Sequence, residues 1–316
     1  MLVTTKQLFD KAYGKYSLPA FNVNNLEFAK AVADGCTRTQ SPFIFQISRG
    51  ARKYANPDLL KHIIVGIHEV YPDLVFAIHL DHGDVATCKQ VLSESPLFFT
   101  SVMIDASHDP FDQNIQTTKE IVEMAHAVGV SVEAELGMLG GVEEDIAVDE
   151  ENACLTDPDQ AKEFVERSGC DSLAVAIGTS HGAYKFKGPG EPKIHMDRVE
   201  AIQKLLPEGF PLVMHGSSSV PQQIVAEVNE FGGKIENSKG VPEDLLAKVA
   251  PYGVCKVNID TDLRLAWFAA MRRELAQHPD NFDPRNTFVP AIQQVADLVA
   301  HKTEVLGSAG HLSDFK

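Results

Sequence analysis

Three histidines in this chain are each followed by glycine: His82 in LDHG, His181 in TSHG and His215 in MHGS. Each stands just past a short apolar run of strand character. Two acids, Asp105 in VMIDAS and Glu135 in VEAELG, close two more such runs. Side chains at the ends of successive parallel strands point at one centre. Three imidazole nitrogens with one position left open are what a catalytic zinc ion requires, because a structural zinc takes its fourth ligand from the protein as well. A lone histidine at a strand end is as often structural as functional; three His-Gly pairs at three strand ends are not. The chain reads as a metalloenzyme. His62, His68, His126 and His278 lie in helical surface patterns and read as solvated.

The residues around these positions extend the chemistry. Asp81, beside His82, either orients an imidazole or works as a general acid and base over a metal-bound substrate; the second role is the sharper reading. No Lys or Arg accompanies Asp105 and Glu135 in their strands, so a second or transient metal position accounts for them better than a salt bridge. HGSSS precedes a helix opening at Pro221, and NIDT precedes another. Helix N-termini with small residues hold phosphate well, although serine-rich turns also serve as plain caps. A Schiff-base mechanism needs a lysine at the catalytic mouth. The strands hold only Lys256, near the start of its strand, while Lys185 and Lys187 fall in a loop. The chemistry therefore rests on a metal acting as Lewis acid.

The elements that must position these groups alternate from end to end. Strand-like runs cover Pro19–Val23, Phe43–Ser48, Val75–Leu80, Ser101–Ser107, Ser131–Leu136, Ser172–Ile177, Pro211–His215 and Cys255–Asp260. Helical periodicity fills the gaps, as at Leu26–Thr37, Leu59–Val70, Gln113–Val128, Pro158–Ser168 and Pro221–Phe231. Eight strands with helical returns imply parallel pairing. They suit an α/β (β/α)8 TIM barrel better than a doubly wound sheet, whose early GxGxxG turn is absent. An additional C-terminal helix, Ala291–Leu306, is expected on the outside of the barrel or against another subunit. Residues 1–316 read as a single catalytic domain. Two long loops, Gly137–Asp157 and Thr179–Lys193, follow strands as active-site loops do.

Composition narrows the partners. The 316 residues carry a formal net charge of −16. That argues against nucleic acid or an anionic membrane and leaves phosphate binding to local donors. The five cysteines are scattered and odd in number, as in a reducing compartment. The amphipathic start MLVTTKQLFDKAYGKYSLPAF has no signal-peptide core, and no stretch approaches transmembrane length. A cytoplasmic location is expected.

Taken together, PAFNVNN, HLDHG, SVMIDASH, SVEAELG, AIGTSHGAYKFKG, PLVMHGSS and KVNIDTDLR, followed by FDPR and LGSAG, resemble the class II, zinc-dependent fructose-bisphosphate aldolases in order from Pro19 to Gly310. The resemblance implies a TIM barrel that assembles as a homodimer or homotetramer. It would cleave fructose 1,6-bisphosphate into dihydroxyacetone phosphate and glyceraldehyde 3-phosphate. It places the catalytic Zn2+ on His82, His181 and His215, with Asp105 and Glu135 serving a second or displaced metal position. It makes Asp81 the proton donor and acceptor at the aldehyde-derived oxygen. Glu143 matches the mobile carboxylate at the ketose carbon, with Glu144 as a rival in GGVEED. Gly182, Gly216, Ser217, Ser218, Asn258, Ile259, Asp260 and Thr261 would surround dihydroxyacetone phosphate, with Na+ or K+ near its phosphate. Ser48 and, from a neighbouring subunit, Arg285 would meet the other phosphate.

Three rivals differ in testable ways. A tagatose-bisphosphate aldolase of the same family tends to read NxATE where this chain reads NIDTD. A metal-dependent hydrolase on the same barrel carries HxH on its first strand, where this chain has PAFNV. A metal-binding scaffold would take up zinc without cleaving any ketose.

Overall fold

Eight parallel strands close on themselves in the order β1-β11-β10-β8-β5-β4-β3-β2. The structure is a computed structural model that describes residues 1–143, 146–148, 154–182 and 194–315, with backbone alone for 140–143 and 146–148. The barrel strands are β1 (Leu18–Asn22), β2 (Phe43–Ser48), β3 (Phe76–Gly83), β4 (Ser101–Ile104), β5 (Ser131–Leu136), β8 (Ser172–Val175), β10 (Leu212–Met214) and β11 (Val254–Ile259). They are short and buried on both faces, as parallel strands covered by helices must be. Closure removes every free edge. A separate small sheet joins β6 (Gly140–Glu143), β7 (Ile146–Val148) and β9 (Ser180–His181) in the order β7-β6-β9.

The helices are α1 (Thr5–Ala12), α2 (Leu26–Thr39), α3 (Arg49–Ala55), α4 (Pro57–Val70), α5 (Val85–Leu92), α6 (Phe111–Ala127), α7 (Pro158–Ser168), α8 (Met196–Leu205), α9 (Gln222–Glu230), α10 (Glu243–Leu246), α11 (Thr261–Gln277) and α12 (Pro284–Val305). Their starts follow from local chemistry. Asn25, Asn56, Asp84 and Asp157 each accept backbone N–H groups of the first turn, and proline occupies the first position of α4 and α7. A (β/α)8 barrel with an additional C-terminal helix is therefore the architecture, as the alternation of patterns requires.

The lumen departs from the usual packing of branched aliphatic layers. Side chains two apart on a strand share a face, so His79 and Asp81, Glu133 and Glu135, and Lys256 and Asn258 all point the same way along their strands. All six are buried. The Lys256 ammonium donates to both oxygens of Glu133 at 2.9 and 2.8 Å and lies 3.4 Å from His79 Nε2. Because β3, β5 and β11 are not neighbours, these contacts cross the lumen. At the N-terminal mouth α1 closes the barrel. Thr5 Oγ1 meets Ser101 Oγ at 2.9 Å and Ser131 Oγ at 2.7 Å, and Ser101 Oγ in turn meets His79 Nδ1 at 2.8 Å.

Several expectations need correction. Gly137–Asp157 is not all loop, since β6 and β7 pair antiparallel within it. His181 does not end a barrel strand. It lies on β9, six positions beyond Val175, where β8 ends. Asp105 follows β4 rather than lying in it, while His82 lies inside β3. His68 is half-buried, its ring 5.8 Å from that of Phe76, because α4 turns that face toward β3. Among the described residues no helix is long and apolar enough to cross a membrane.

The C-terminal helix is longer than its pattern predicts and packs on α2 and α11. Gly35 in α2 marks the crossing with α12: a Cβ there would lie 2.6 Å from Val299 Cγ1 and 2.7 Å from the Ala296 carbonyl oxygen. Gly35→Val should lower unfolding free energy by about 1–3 kcal/mol through overpacking, more than the fraction of a kcal/mol that a better helix former returns. Urea denaturation measures this, and an unchanged midpoint would mean that the two helices are not clasped there.

Candidate metal centre

The three His-Gly histidines converge. The His82 ring centroid lies 4.8 Å from that of His215 and 5.4 Å from that of His181, and the latter two are 6.0 Å apart. One ring nitrogen from each falls within 4.8 Å of the other two, and all three residues are buried. The backbone is shaped to allow it. His82 sits at φ +46°, a left-handed conformation that costs a non-glycine residue about 1–3 kcal/mol. The following Gly83 leaves no room for a side chain, since a Cβ would meet Cys88 Sγ, Leu80 Cδ2 and the Met103 carbonyl at 2.7 Å. After His215, Gly216 at φ +59° lets the chain pass the Ser180 carbonyl, which a Cβ would approach to 2.5 Å.

The orientation of two rings is fixed from behind. His82 Nδ1 bonds Asp105 Oδ2 at 2.8 Å, and His215 Nε2 bonds Glu133 Oε1 at 2.7 Å. Their remaining nitrogens, His82 Nε2 and His215 Nδ1, face each other at 3.0 Å. Imidazoles whose outer N–H is held by a carboxylate and whose inner nitrogens gather at one point are the usual surroundings of a bound metal. Burial pushes His215 below the ordinary histidine range, and Lys256 adds to this, so the ring is kept in the neutral form that ligation needs. Burial would raise Asp105, but its bonds from His82 and Ser107 outweigh that and hold it well below the carboxylate range. Glu133 is depressed likewise, with Lys256 the largest of the influences that overcome its burial. The donor set fits zinc. A second cluster, His82, Asp105 and Glu135, also brings its donor atoms within 4.8 Å.

Several of the other expected residues lie on the strand ends and turns next to these histidines. Asp81 is buried in β3; its Oδ2 accepts from Asn22 Nδ2 at 2.8 Å, and its Oδ1 has no hydrogen-bond partner among the described residues. Ser48, in register with Asp81, caps α3 by accepting from Ala51 N–H. Asn258 Nδ2 lies 3.2 Å from His215 Nδ1. Ser217 Oγ donates to the His215 carbonyl at 3.1 Å, and Ser218 Oγ accepts from Asp260 N–H at 3.3 Å. Ile259 ends β11 and is buried, Asp260 pairs with Arg264 at 2.6 Å, and Thr261 opens α11. Gly182 and Thr261 share a groove of about 390 Å³ with Val228, Ile235, Leu265 and Phe268. Arg285 is not gathered in. It lies on the first turn of α12, 88% exposed, bonded to Asp283 at 2.7 Å. The Glu143 side chain lies outside the described residues, as do Glu144, Lys185 and Lys187 altogether.

Strand-end reasoning does not reach Glu133, His79 and Lys256, which form the layer below the centre. The signal is present all the same: Glu133 and Glu135 are two apart, so an inward Glu135 brings Glu133 inward too. Glu133→Leu combined with Lys256→Met removes the hydrogen bond that supports His215 without leaving an unpaired buried charge. Zinc affinity of that double variant should fall about 10–100-fold, read by competition with a chromogenic chelator. Unchanged affinity would show that Glu133 does not hold the ring.

Known proteins show the same arrangement of sequence. A family model described as "Fructose-bisphosphate aldolase class-II" matches residues 3–311. A protein of Giardia intestinalis named fructose-bisphosphate aldolase is 47% identical over 316 residues, covering 100% of this chain and 96% of its own. One from Treponema pallidum with the same name is 46% identical, covering 98% of this chain and 97% of its own. The crystal structure of the YdjI aldolase from Escherichia coli K12 superimposes with a TM-score of 0.77 at 28% identity, over 99% of this chain and 100% of that one. With its barrel, its three convergent imidazoles and a match running nearly from end to end, the chain belongs to the class II fructose-bisphosphate aldolase family.

Proposed function

We propose that this chain, residues 1–316 acting as one catalytic domain, cleaves fructose 1,6-bisphosphate into dihydroxyacetone phosphate and glyceraldehyde 3-phosphate and runs the reverse condensation. The observation that carries the reading is Asp81, a buried carboxylate one residue from His82, with one oxygen held and the other without a partner among the described residues. A divalent ion, zinc by its donor set, would be held by His82, His181 and His215 and would supply Lewis acidity to the ketose carbonyl and the hydroxyl beside it.

The remaining work belongs to the side chains. Asp81 Oδ1 takes the proton of the hydroxyl on the carbon that becomes the aldehyde, as the carbon–carbon bond breaks and its electron pair moves toward the carbonyl. Asn22 keeps the other oxygen of Asp81 turned away. Glu143 is the proposed group that returns a proton to the ketose carbon, with Glu144 as its rival. Gly216, Ser217 and Ser218, together with Gly182 and Asn258 through Thr261, receive the dihydroxyacetone phosphate moiety, with Na+ or K+ beside the phosphate. Ser48 and Arg285 of the partner subunit take the other phosphate, so a homodimer or homotetramer completes the site. Asp105 and Glu135 offer a second metal position. A cytoplasmic location suits such an enzyme of glycolysis.

Asp81→Ala should retain stoichiometric zinc yet lose about 10²–10⁴-fold in kcat, the usual contribution of one proton-transfer group. Metal analysis beside a coupled cleavage assay checks this, and near-normal turnover would remove Asp81 from the role. Chelation should abolish cleavage and added zinc restore it, while borohydride with substrate should leave no covalent adduct. Cleavage that survives chelation would point to another reaction. Fructose 1,6-bisphosphate should be turned over faster than tagatose 1,6-bisphosphate in side-by-side assays; the opposite order would reassign the substrate.

A further inference from the structure

Behind the 216–218 turn lies a buried ionic group that neither the metal nor the proton transfers use. Asp262, the second residue of α11, is fully buried, yet its carboxylate does not cap its own helix. It reaches instead to the turn that follows β10, the strand beside β11. Its Oδ1 accepts from Val220 N–H at 2.7 Å and its Oδ2 from Ser219 N–H at 2.8 Å. Lys302, fully buried on α12, bonds Asp262 Oδ2 at 2.8 Å, Glu243 Oε1 at 2.6 Å and Ser219 Oγ at 2.9 Å. Burial would lower Lys302, but Asp262 and Glu243 outweigh it and keep the group above the ordinary lysine range.

The turn that these groups hold is not a relaxed one. Val220 sits at φ +52°, where a β-branched residue is a genuine outlier that persists only if its surroundings over-determine it. On the far side, Val241 N–H bonds the Ser218 carbonyl at 3.1 Å. Gly240 passes so close that a Cβ would lie 2.3 Å from that same oxygen. The segment is thus gripped from α11, from α12 and from the 240–241 chain. Asp262 also occupies the amides of Ser219 and Val220, which confines the backbone donors open to a ligand to the preceding residues.

We propose that Asp262 and Lys302 are positioning residues that hold the 216–218 turn in its phosphate-accepting shape, setting affinity for the phosphorylated ketose and leaving bond cleavage unaffected. The inference rests on the reading that this turn receives the ketose phosphate. A pair that merely ties α12 to α11 would affect stability and nothing else.

The test uses the full-length, zinc-loaded protein and reads three variants against the parent for kcat, KM for fructose 1,6-bisphosphate, inhibition by inorganic phosphate, and zinc content. Asp262→Asn keeps the shape and removes the charge. Lys302→Met removes the cation and its bond to Ser219. Ser218→Ala probes the turn directly. Asp262→Asn should raise KM and the inhibition constant of phosphate about tenfold or more, the scale of a lost charge-assisted contact. Its kcat should stay within about threefold and its zinc content unchanged. Lys302→Met should shift the same two constants in the same direction, and it carries the test if Asp262→Asn does not fold. If both constants stay at parental values in the Asp262 and Lys302 variants while Ser218→Ala weakens them, the inference falls and the phosphate reading stands. If Ser218→Ala also leaves them unchanged, the phosphate reading falls and takes the inference with it. A loss confined to kcat would likewise overturn it.

Discussion

Glu133 has no access to solvent, and an isolated carboxylate in that position would be neutral or would unfold the barrel. It stays ionised because Lys256 donates to both of its oxygens and His215 donates a third hydrogen bond. The consequences run outward in both directions. Upward, the bond from His215 Nε2 fixes which ring nitrogen is turned toward His82 and His181. Downward, Lys256 approaches His79, His79 meets Ser101, and Ser101 meets Thr5 on the helix that closes the barrel. Removing one partner from a buried pair costs far more than the pair itself contributes. The polar lumen therefore holds together only as a complete set, and its completeness is what aims the imidazoles of the candidate metal centre.

A second chain of amides aims Asp81, the proposed proton-transfer group. Gln46 Nε2 on β2 donates to Asn22 Oδ1 on β1, and Asn22 Nδ2 donates to Asp81 Oδ2 on β3. With one carboxylate oxygen held this way, the other keeps a fixed direction. Asp81 and His82 are consecutive, and consecutive strand residues ordinarily face opposite sides of a sheet. The left-handed backbone at His82 breaks that alternation and brings both side chains to the same mouth. Strain at His82 is thus the structural condition for placing the Asp81 carboxylate and the His82 imidazole at one mouth, and Gly83 is what lets the chain continue past it.

These arrangements were legible in the sequence to different depths. The barrel follows from eight short apolar runs with helical returns, because a parallel pair demands a crossover. The triad of imidazoles was visible because His-Gly is a local signal: the glycine is required by the same tight backbone that turns the ring inward. Strand limits were less visible. Ser101–Ser107 stops at Ile104, and the polar Asp105 and Ser107 leave the strand to bond each other. The β6–β7 hairpin hides in a glycine-rich and acidic stretch with no alternating apolar pattern. Glu133 and Lys256 are strand-interior charges whose partners lie on the opposite wall of the barrel, 123 positions apart in the chain. No local pattern pairs residues at that separation. Asp262 and Lys302, 40 positions apart and on different helices, escape for the same reason.

Lys256 also bears on which chemistry this lumen can host. A lysine inside a barrel can form a covalent imine with a ketose only if its nitrogen lone pair is available and faces the substrate. Here the ammonium donates to both oxygens of a buried carboxylate. It lies two residues before Asn258, one layer below the level at which Asn258 meets His215. Releasing its proton would leave Glu133 as an uncompensated charge in the lumen, and Glu133 is what holds His215. The same ion pair therefore closes the covalent route and supports the metal route. In the proposed reaction, carbonyl activation then falls to a metal that the three imidazoles above it would hold.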